Sequence, residues 1–259
     1  MDLPSHPDPK FNAAQIKAWK TMLQLLRDPV ESDRRYDALA DSAGGRIISS
    51  DLARSLDHRY AKPPRKGHSR DIEPGWDLAW RYAQDRFSRE LQDRGKRSIV
   101  RLMAGGWAAG KTHALEKKLL PDLAWDGTLR DAKRATEVID LALSTGWKIE
   151  VAYVFRDLEL AFYGAVERGL REGRMVPLGE LPTIHRAVQQ SILDLTALYA
   201  TESRVSFLLL HNLGTDRVRC EPMIISRDDL DSPGGLHYTP AHERYYLQAA
   251  PYIGKAPHP

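Results

Sequence analysis

Residues Ser98 to Leu119, SIVRLMAGGWAAGKTHALEKKL, constrain this chain more than any other stretch. Ile99 to Met103 is a short apolar run with a single arginine in it, long enough for a buried strand and too short for a helix. Gly105 to Thr112 then follows the spacing G-x-x-x-x-G-K-[ST], and a helix-forming segment begins at once. Strand, glycine-rich loop and helix in that order are what a phosphate-binding loop needs. Its glycines let successive amides turn inward as an anion nest, which the helix N-terminus reinforces. Gly105, Gly106, Trp107, Ala108, Ala109, Gly110, Lys111, Thr112 and His113 are therefore the expected nucleotide contacts. In such a loop the lysine reaches the β- and γ-phosphates of ATP and the threonine hydroxyl holds magnesium. The competing reading is an ordinary glycine-rich turn; the strand before it and the helix pattern after it weigh against that.

Strand and helix patterns alternate from Ser98 to Leu210, which calls for a mostly parallel sheet covered on both faces. Strands are expected at Asp122–Thr128, Lys148–Phe155 and Arg204–Leu210, with short extended pieces at Arg46–Ser49 and Pro222–Ser226. Helices are expected over Ala132–Ser144 behind an Asp131 cap, from an Asp157 cap through Leu170, and over Pro182–Ala200. Further helices are expected over Phe11–Asp28, with apolar Ile16, Trp19, Leu23 and Leu26, and over Glu31–Ala40. Between Pro74 and Gly95, Trp76, Trp80, Ala83, Phe87 and Leu91 fall on one helical face and read as core. A basic loop at Ala61–Asp71, a turn at Pro233–Gly235 and a short helix with Tyr245 and Tyr246 complete the pattern. The expected fold is an α/β P-loop nucleotide-binding three-layer sandwich with an N-terminal helical addition. The expected domains are a helical extension over 1–43, the nucleotide-binding unit over 44–225 and a tail over 226–259.

Several polar residues stand where strands give way to helices, the usual place for ligand-binding groups in open α/β sheets. Asp51 is one; it serves equally well as a helix N-cap. Asp126, at the end of a short strand, is placed to hold magnesium directly or through water, or to cap. Arg168 and Arg171 share a helical face, Arg174 follows, and Arg156 ends a strand. Clustered guanidinium groups suit a transferring phosphoryl group in charge and fork geometry, although a single arginine on such a helix is more often solvated. His185 is read as a neighbour-orienting or structurally satisfied histidine.

The composition, 42% hydrophobic and 28% charged, is ordinary for a soluble protein, and no apolar run approaches the length of a membrane span. The N-terminus lacks the basic and apolar regions of a leader, so a cytoplasmic location is expected, with export as an effector left open. Lone Cys220 excludes an intramolecular disulfide and a zinc ribbon. A net charge of +3 with interspersed signs gives no basis for a nucleic-acid partner.

AGGWAAGKTHAL, WDGTLRDAKRATEVIDLAL, GWKIEVAYVFRD and GAVERGLREGRMVPL, followed by His185, together resemble zeta-toxin-like P-loop kinases, over about Ser98 to Asn212. The resemblance implies an ATP- and magnesium-dependent kinase that phosphorylates a hydroxyl of a small molecule such as a nucleotide-sugar or dinucleotide. It assigns Lys111 and Thr112 to ATP and magnesium, Asp126 and Thr128 to a turn near the substrate, and Arg168, Arg171 or Arg174 to phosphate stabilisation. Such kinases carry a D-x-x-R segment with the general base after the phosphate loop, and here too few residues intervene before Asp126 to hold one. Asp51-Leu52-Ala53-Arg54, with His58 and Tyr60 beyond, looks like that piece placed before the loop. The expectation is then a permuted order with Asp51 as base, Arg54 as substrate clamp and Arg156 on the substrate side. Two other readings stand beside it: a nucleotide-binding module without transfer activity, and a toxin silenced by a bound antitoxin.

Overall fold

The computed structural model describes residues 3–57, 60, 73–93, 98–112, 121–173, 176–214 and 222–231, with single positions at 236, 238, 239, 241 and 244. The expected basic loop, the segment after Thr112, the Pro233–Gly235 turn and the Tyr245–Tyr246 helix lie outside the described residues, as do His58, His113 and Arg174. Among the described residues six strands form one sheet: β1 (Ile47–Ile48), β2 (Ile99–Ala104), β3 (Leu123–Asp126), β4 (Lys148–Phe155), β5 (Val205–Asn212) and β6 (Pro222–Ile224). Their order is β1-β3-β2-β4-β5-β6. The first five are parallel and only β6 runs the other way, beside β5. The protein is thus α/β with a mostly parallel sheet.

Period-two alternation splits the strands between two cores. Val100, Leu102, Ala104, Leu123, Ile149, Val151 and Tyr153 face the larger one, which the helices complete. Met103, Ala124, Ala152, Val154 and Leu210 form a smaller cluster on the other face, joined by Ala109 of the loop. Arg101 and Glu150 are register partners there and pair with each other, which removes the burden of a buried charge in the sheet.

The helices follow their caps. Asn12 and Gln15 form a reciprocal capping box at the start of α1 (Ala13–Leu26). Asp28 caps α2 (Pro29–Asp37), with Pro29 in the first turn, where its missing N–H costs nothing. After α3 (Ser50–Ala53) comes the long α4 (Glu73–Asp93). Asp131 caps α5 (Ala132–Ser144) as the spacing predicts. The remaining helices are α6 (Leu158–Glu172), α7 (Leu181–Leu198) and the short α8 (Arg227–Asp231). None of the described helices is long and apolar enough to cross a membrane.

Two expectations are corrected. Trp76 is 48% exposed, and Trp80 is only half-buried, with the Arg134 guanidinium 5.2 Å from its ring centre. The buried side of α4 instead carries Leu78, Ala79, Tyr82, Ala83, Phe87 and Leu91, a stripe rotated from the aromatic one. Asp157 makes no cap bond to α6; its carboxylate lies 3.8 Å from His211 Nε2.

The N-terminal helices are fastened to α4 by a buried cation. Arg86 is 3% exposed and binds Asp37 Oδ1 at 2.6 Å, the Asp33 carbonyl at 3.2 Å and the Tyr82 hydroxyl at 3.2 Å. Its guanidinium also lies 5.0 Å from the Tyr36 ring centre. Arg86→Met should therefore cost about 2–3 kcal/mol, at the lower end for a broken buried pair because Asp33 and Asp37 stay partly hydrated. Urea denaturation monitored by circular dichroism measures it.

Candidate active site

The C-terminal ends of the parallel strands share one edge of the sheet, and the chain changes direction at β2, pairing β3 on one side and β4 on the other. Ligand crevices in open α/β sheets lie at such a switch point. The loop Gly105–Thr112 leaves β2 there.

Side chains from across the fold shape that loop through its carbonyls. The Trp107 carbonyl lies 2.9 Å from Nε2 of His185 on α7. The Ala108 carbonyl accepts from Arg156 Nη1 at 2.8 Å, and the Ala109 carbonyl from Asn212 Nδ2 at 2.9 Å. In a trans peptide the next N–H points opposite to the carbonyl, so the amides of Ala108 and Gly110 turn away from the protein body. The Ala109 amide closes a turn on the Gly106 carbonyl at 3.3 Å. Ala108 sits at φ 57°, a left-handed conformation that costs a residue with a side chain about 1–2 kcal/mol. Two glycines are required by their neighbours. A Cβ on Gly106 would stand 2.1 Å from the His185 ring, and one on Gly110, at φ +95°, 2.4 Å from Asn212 Nδ2.

Lys111 Nζ donates to the Gly105 and Gly106 carbonyls at 2.9 and 3.0 Å. Desolvation pulls its pKa below the ordinary lysine value; the charges of Asp126 and Asp51 oppose that shift, and Arg168 adds to it. Charges on β3, α3 and α6 are therefore felt at the loop lysine.

Asp51 lies in the first turn of α3, but it is not the cap: the Ser49 hydroxyl accepts its amide at 3.2 Å. Its carboxylate is 3.3 Å from Arg54 Nη1. The Arg54 side chain is 12% exposed, and its buried Nε has no hydrogen-bond partner among the described residues. Tyr36 sets this corner, donating to the Ile47 carbonyl at 3.0 Å and accepting the Ser49 amide at 2.9 Å. Asp126 is half-buried at the end of β3, and the Thr128 carbonyl accepts the Gly105 amide at 3.3 Å.

The arginines separate. Arg168 is half-buried, and its buried Nε has no hydrogen-bond partner among the described residues, whereas Arg171 is 63% exposed and bound to Glu172 at 2.6 Å. Arg156 is committed to the loop, and its second nitrogen donates to the Gly214 carbonyl at 3.2 Å. Gly164 makes room for it, since a Cβ there would meet Nη1 at 3.0 Å.

The residues present fit a polyphosphate with a divalent cation. Outward amides, Lys111 and the buried unpartnered nitrogens of Arg54 and Arg168 suit anionic oxygens. No described group of His, Cys, Asp and Glu forms a metal cage by itself. The exposed Thr112 hydroxyl and the half-buried Asp126 carboxylate are oxygen donors of the kind that magnesium accepts when phosphates and waters supply the rest.

Fold and loop together define a P-loop protein of the parallel α/β class. The zeta toxin family model matches residues 113–208, and across that stretch the chain is similar to that family. The match begins just past Thr112 and ends within β5, so neither the loop nor Asp51 lies inside it. A solved structure from the PezAT chromosomal toxin-antitoxin system of Streptococcus pneumoniae is similar at 14% identity and a TM-score of 0.39, over 80% of this chain and 73% of that one. No curated protein matches the chain.

His185 gives the site a pH signature. Burial, only partly offset by its bond to Trp107, lowers its pKa from 6.5 to about 4. The unfolded chain takes up this proton near pH 6.5 and the folded chain only near pH 4, so its stabilising share is complete above that window and lost as pH falls through it. At pH 5 the loss from this residue should be about 2 kcal/mol. His211 is shifted the same way by burial, so the contrast is made with His185→Gln. Between pH 7 and pH 5 that variant should lose less stability in urea than the wild type, by about that amount.

Proposed function

We propose that this chain is a zeta-toxin-like kinase that uses ATP and magnesium to phosphorylate a hydroxyl of a small molecule such as a nucleotide-sugar or dinucleotide, and that it acts as a toxin restrained by an antitoxin. The observation that carries the reading is the loop at the end of β2, with Lys111 Nζ held on the Gly105 and Gly106 carbonyls at 2.9 and 3.0 Å and Asp126 in register beside Met103 on the neighbouring strand. The charges of Asp126, Arg168 and Asp51 also act on that ammonium group.

Bound ATP with magnesium supplies the transferable phosphoryl group and the divalent charge that offsets its oxygens. The chain's own residues do the rest by position and charge, which dominate phosphoryl transfer. Lys111 exchanges its two carbonyl partners for phosphate oxygens, and the Ala108 and Gly110 amides hold the same anion from the loop. Thr112 and Asp126 hold the cation. Arg168 offsets charge on the oxygens of the group in flight. Asp51 would accept the proton of the acceptor hydroxyl as that oxygen bonds to the γ-phosphorus and the bond from that phosphorus to ADP breaks, with ADP as the leaving group, and Arg54 would hold the acceptor beside it. On this reading the base segment precedes the loop in sequence, a permuted order for the family. Thr128 and Arg156 contribute through the loop rather than by touching the acceptor, and Arg171 has no part.

An acceptor screen against a metabolite extract, read by mass spectrometry for an added phosphate, is expected to yield a single class of phosphorylated product. Asp51→Asn should lower transfer about 100-fold or more with ATP binding within about threefold of wild type. Lys111→Ala should abolish both. Tight ATP binding without any transferred phosphate would instead identify a nucleotide-binding module.

A further inference from the structure

Two described residues of the C-terminal part, Leu236 and Tyr238, are held against α7 and the end of β4. The Leu236 amide donates to the Asp229 carbonyl at 2.7 Å. Gln189 on α7 grips the next residues at both ends, donating to the Leu236 carbonyl and accepting the Tyr238 amide, each at 2.8 Å. Tyr238 is thereby buried, at 4% exposure, stacked on Phe155 with ring centres 4.6 Å apart and edge-on to His185 at 5.5 Å.

Its hydroxyl meets both supports of the loop. It lies 3.0 Å from His185 Nδ1, accepts the Arg156 amide at 3.3 Å and donates to the Arg156 carbonyl. The Trp107 carbonyl can only accept, so His185 Nε2 carries the ring proton, and in the neutral ring Nδ1 is left as an acceptor facing Tyr238. The Tyr238 proton is thus shared between His185 and the Arg156 backbone. A buried hydroxyl is costly unless partnered, so these partners fix where the ring of His185 and the end of β4 stand relative to each other. His185 holds the Trp107 carbonyl and Arg156 holds the Ala108 carbonyl. The tie therefore reaches two adjacent peptides of the nest.

We infer that Tyr238 and His185 are positioning residues for the phosphate loop: the C-terminal segment sets the orientation of the 107 and 108 peptides, and with it the affinity for a nucleotide triphosphate. This rests on the nucleotide-binding reading above, but its first consequence needs no nucleotide.

Tyr238→Phe in the full chain keeps the stack on Phe155 and removes only the hydroxyl. Hydrogen exchange without nucleotide should then quicken about tenfold in peptides spanning 105–112, with β4 and β5 unchanged, and calorimetry with ATP and magnesium should show affinity weakened about 3–10-fold. His185→Ala, which strips the Trp107 carbonyl of its donor, should exceed both effects. Loop exchange equal to wild type in Tyr238→Phe, or a uniform rise across the whole protein, would overturn the inference. Failure of the wild type to bind ATP would instead refute the proposed function, leaving the exchange result to decide the role of Tyr238.

Discussion

Three neighbouring peptides, carbonyls turned inward at Trp107, Ala108 and Ala109, depend on three side chains from three different elements: His185 on α7, Arg156 after β4 and Asn212 at the end of β5. Glycine-rich loops have no preferred shape of their own, and an extended family of conformations must be discarded before successive amides can face one anion. Here the cost is met by neutral and charged donors that the sheet already holds in place. The same contacts explain why Gly106 and Gly110 accept no side chain, since the space is filled by the His185 ring and the Asn212 amide. A nest organised before ligand arrives binds without further ordering, which is how preorganisation contributes to affinity.

The N-terminal helices belong to the same arrangement. Arg86 on α4 ties down Asp33 and Asp37, and its guanidinium rests against Tyr36 of α2. The Tyr36 hydroxyl in turn bridges Ile47 and Ser49, fixing the corner from which Asp51 starts α3. β1 pairs with β3, the strand that ends in Asp126, so a short edge strand sets the segment of Asp51 beside the strand of Asp126. Without that buried arginine, a two-residue strand would have little to hold it in register.

Local pattern made much of this legible. The apolar run and the glycines after it mark the strand β2 and the turn that leaves it, and the Asp131 cap with its following apolar face gives α5 to the residue. What pattern missed was decided by long-range contact. Asn212 reads as one more polar residue at a strand end, and Tyr238 sits in a stretch with no periodicity; their roles follow only once β5 and α7 bring them to the loop. Trp76 failed for a related reason: aromatic spacing marks a helical face, but which face is buried depends on what packs there, and α4 turns Leu78 and Tyr82 inward instead. Similarly, Arg168 and Arg171 share spacing but not environment, because Glu172 takes the second at the surface.

The most direct measurement is a crystal structure of the full chain with magnesium and a non-hydrolysable ATP analogue. The account predicts the β- and γ-phosphates within hydrogen-bond reach of the Ala108 and Gly110 amides and of Lys111, with the Asp51 carboxylate facing the γ-phosphate across a space for one acceptor oxygen. Phosphates seated elsewhere, or an Asp51 turned from them toward solvent, would contradict it.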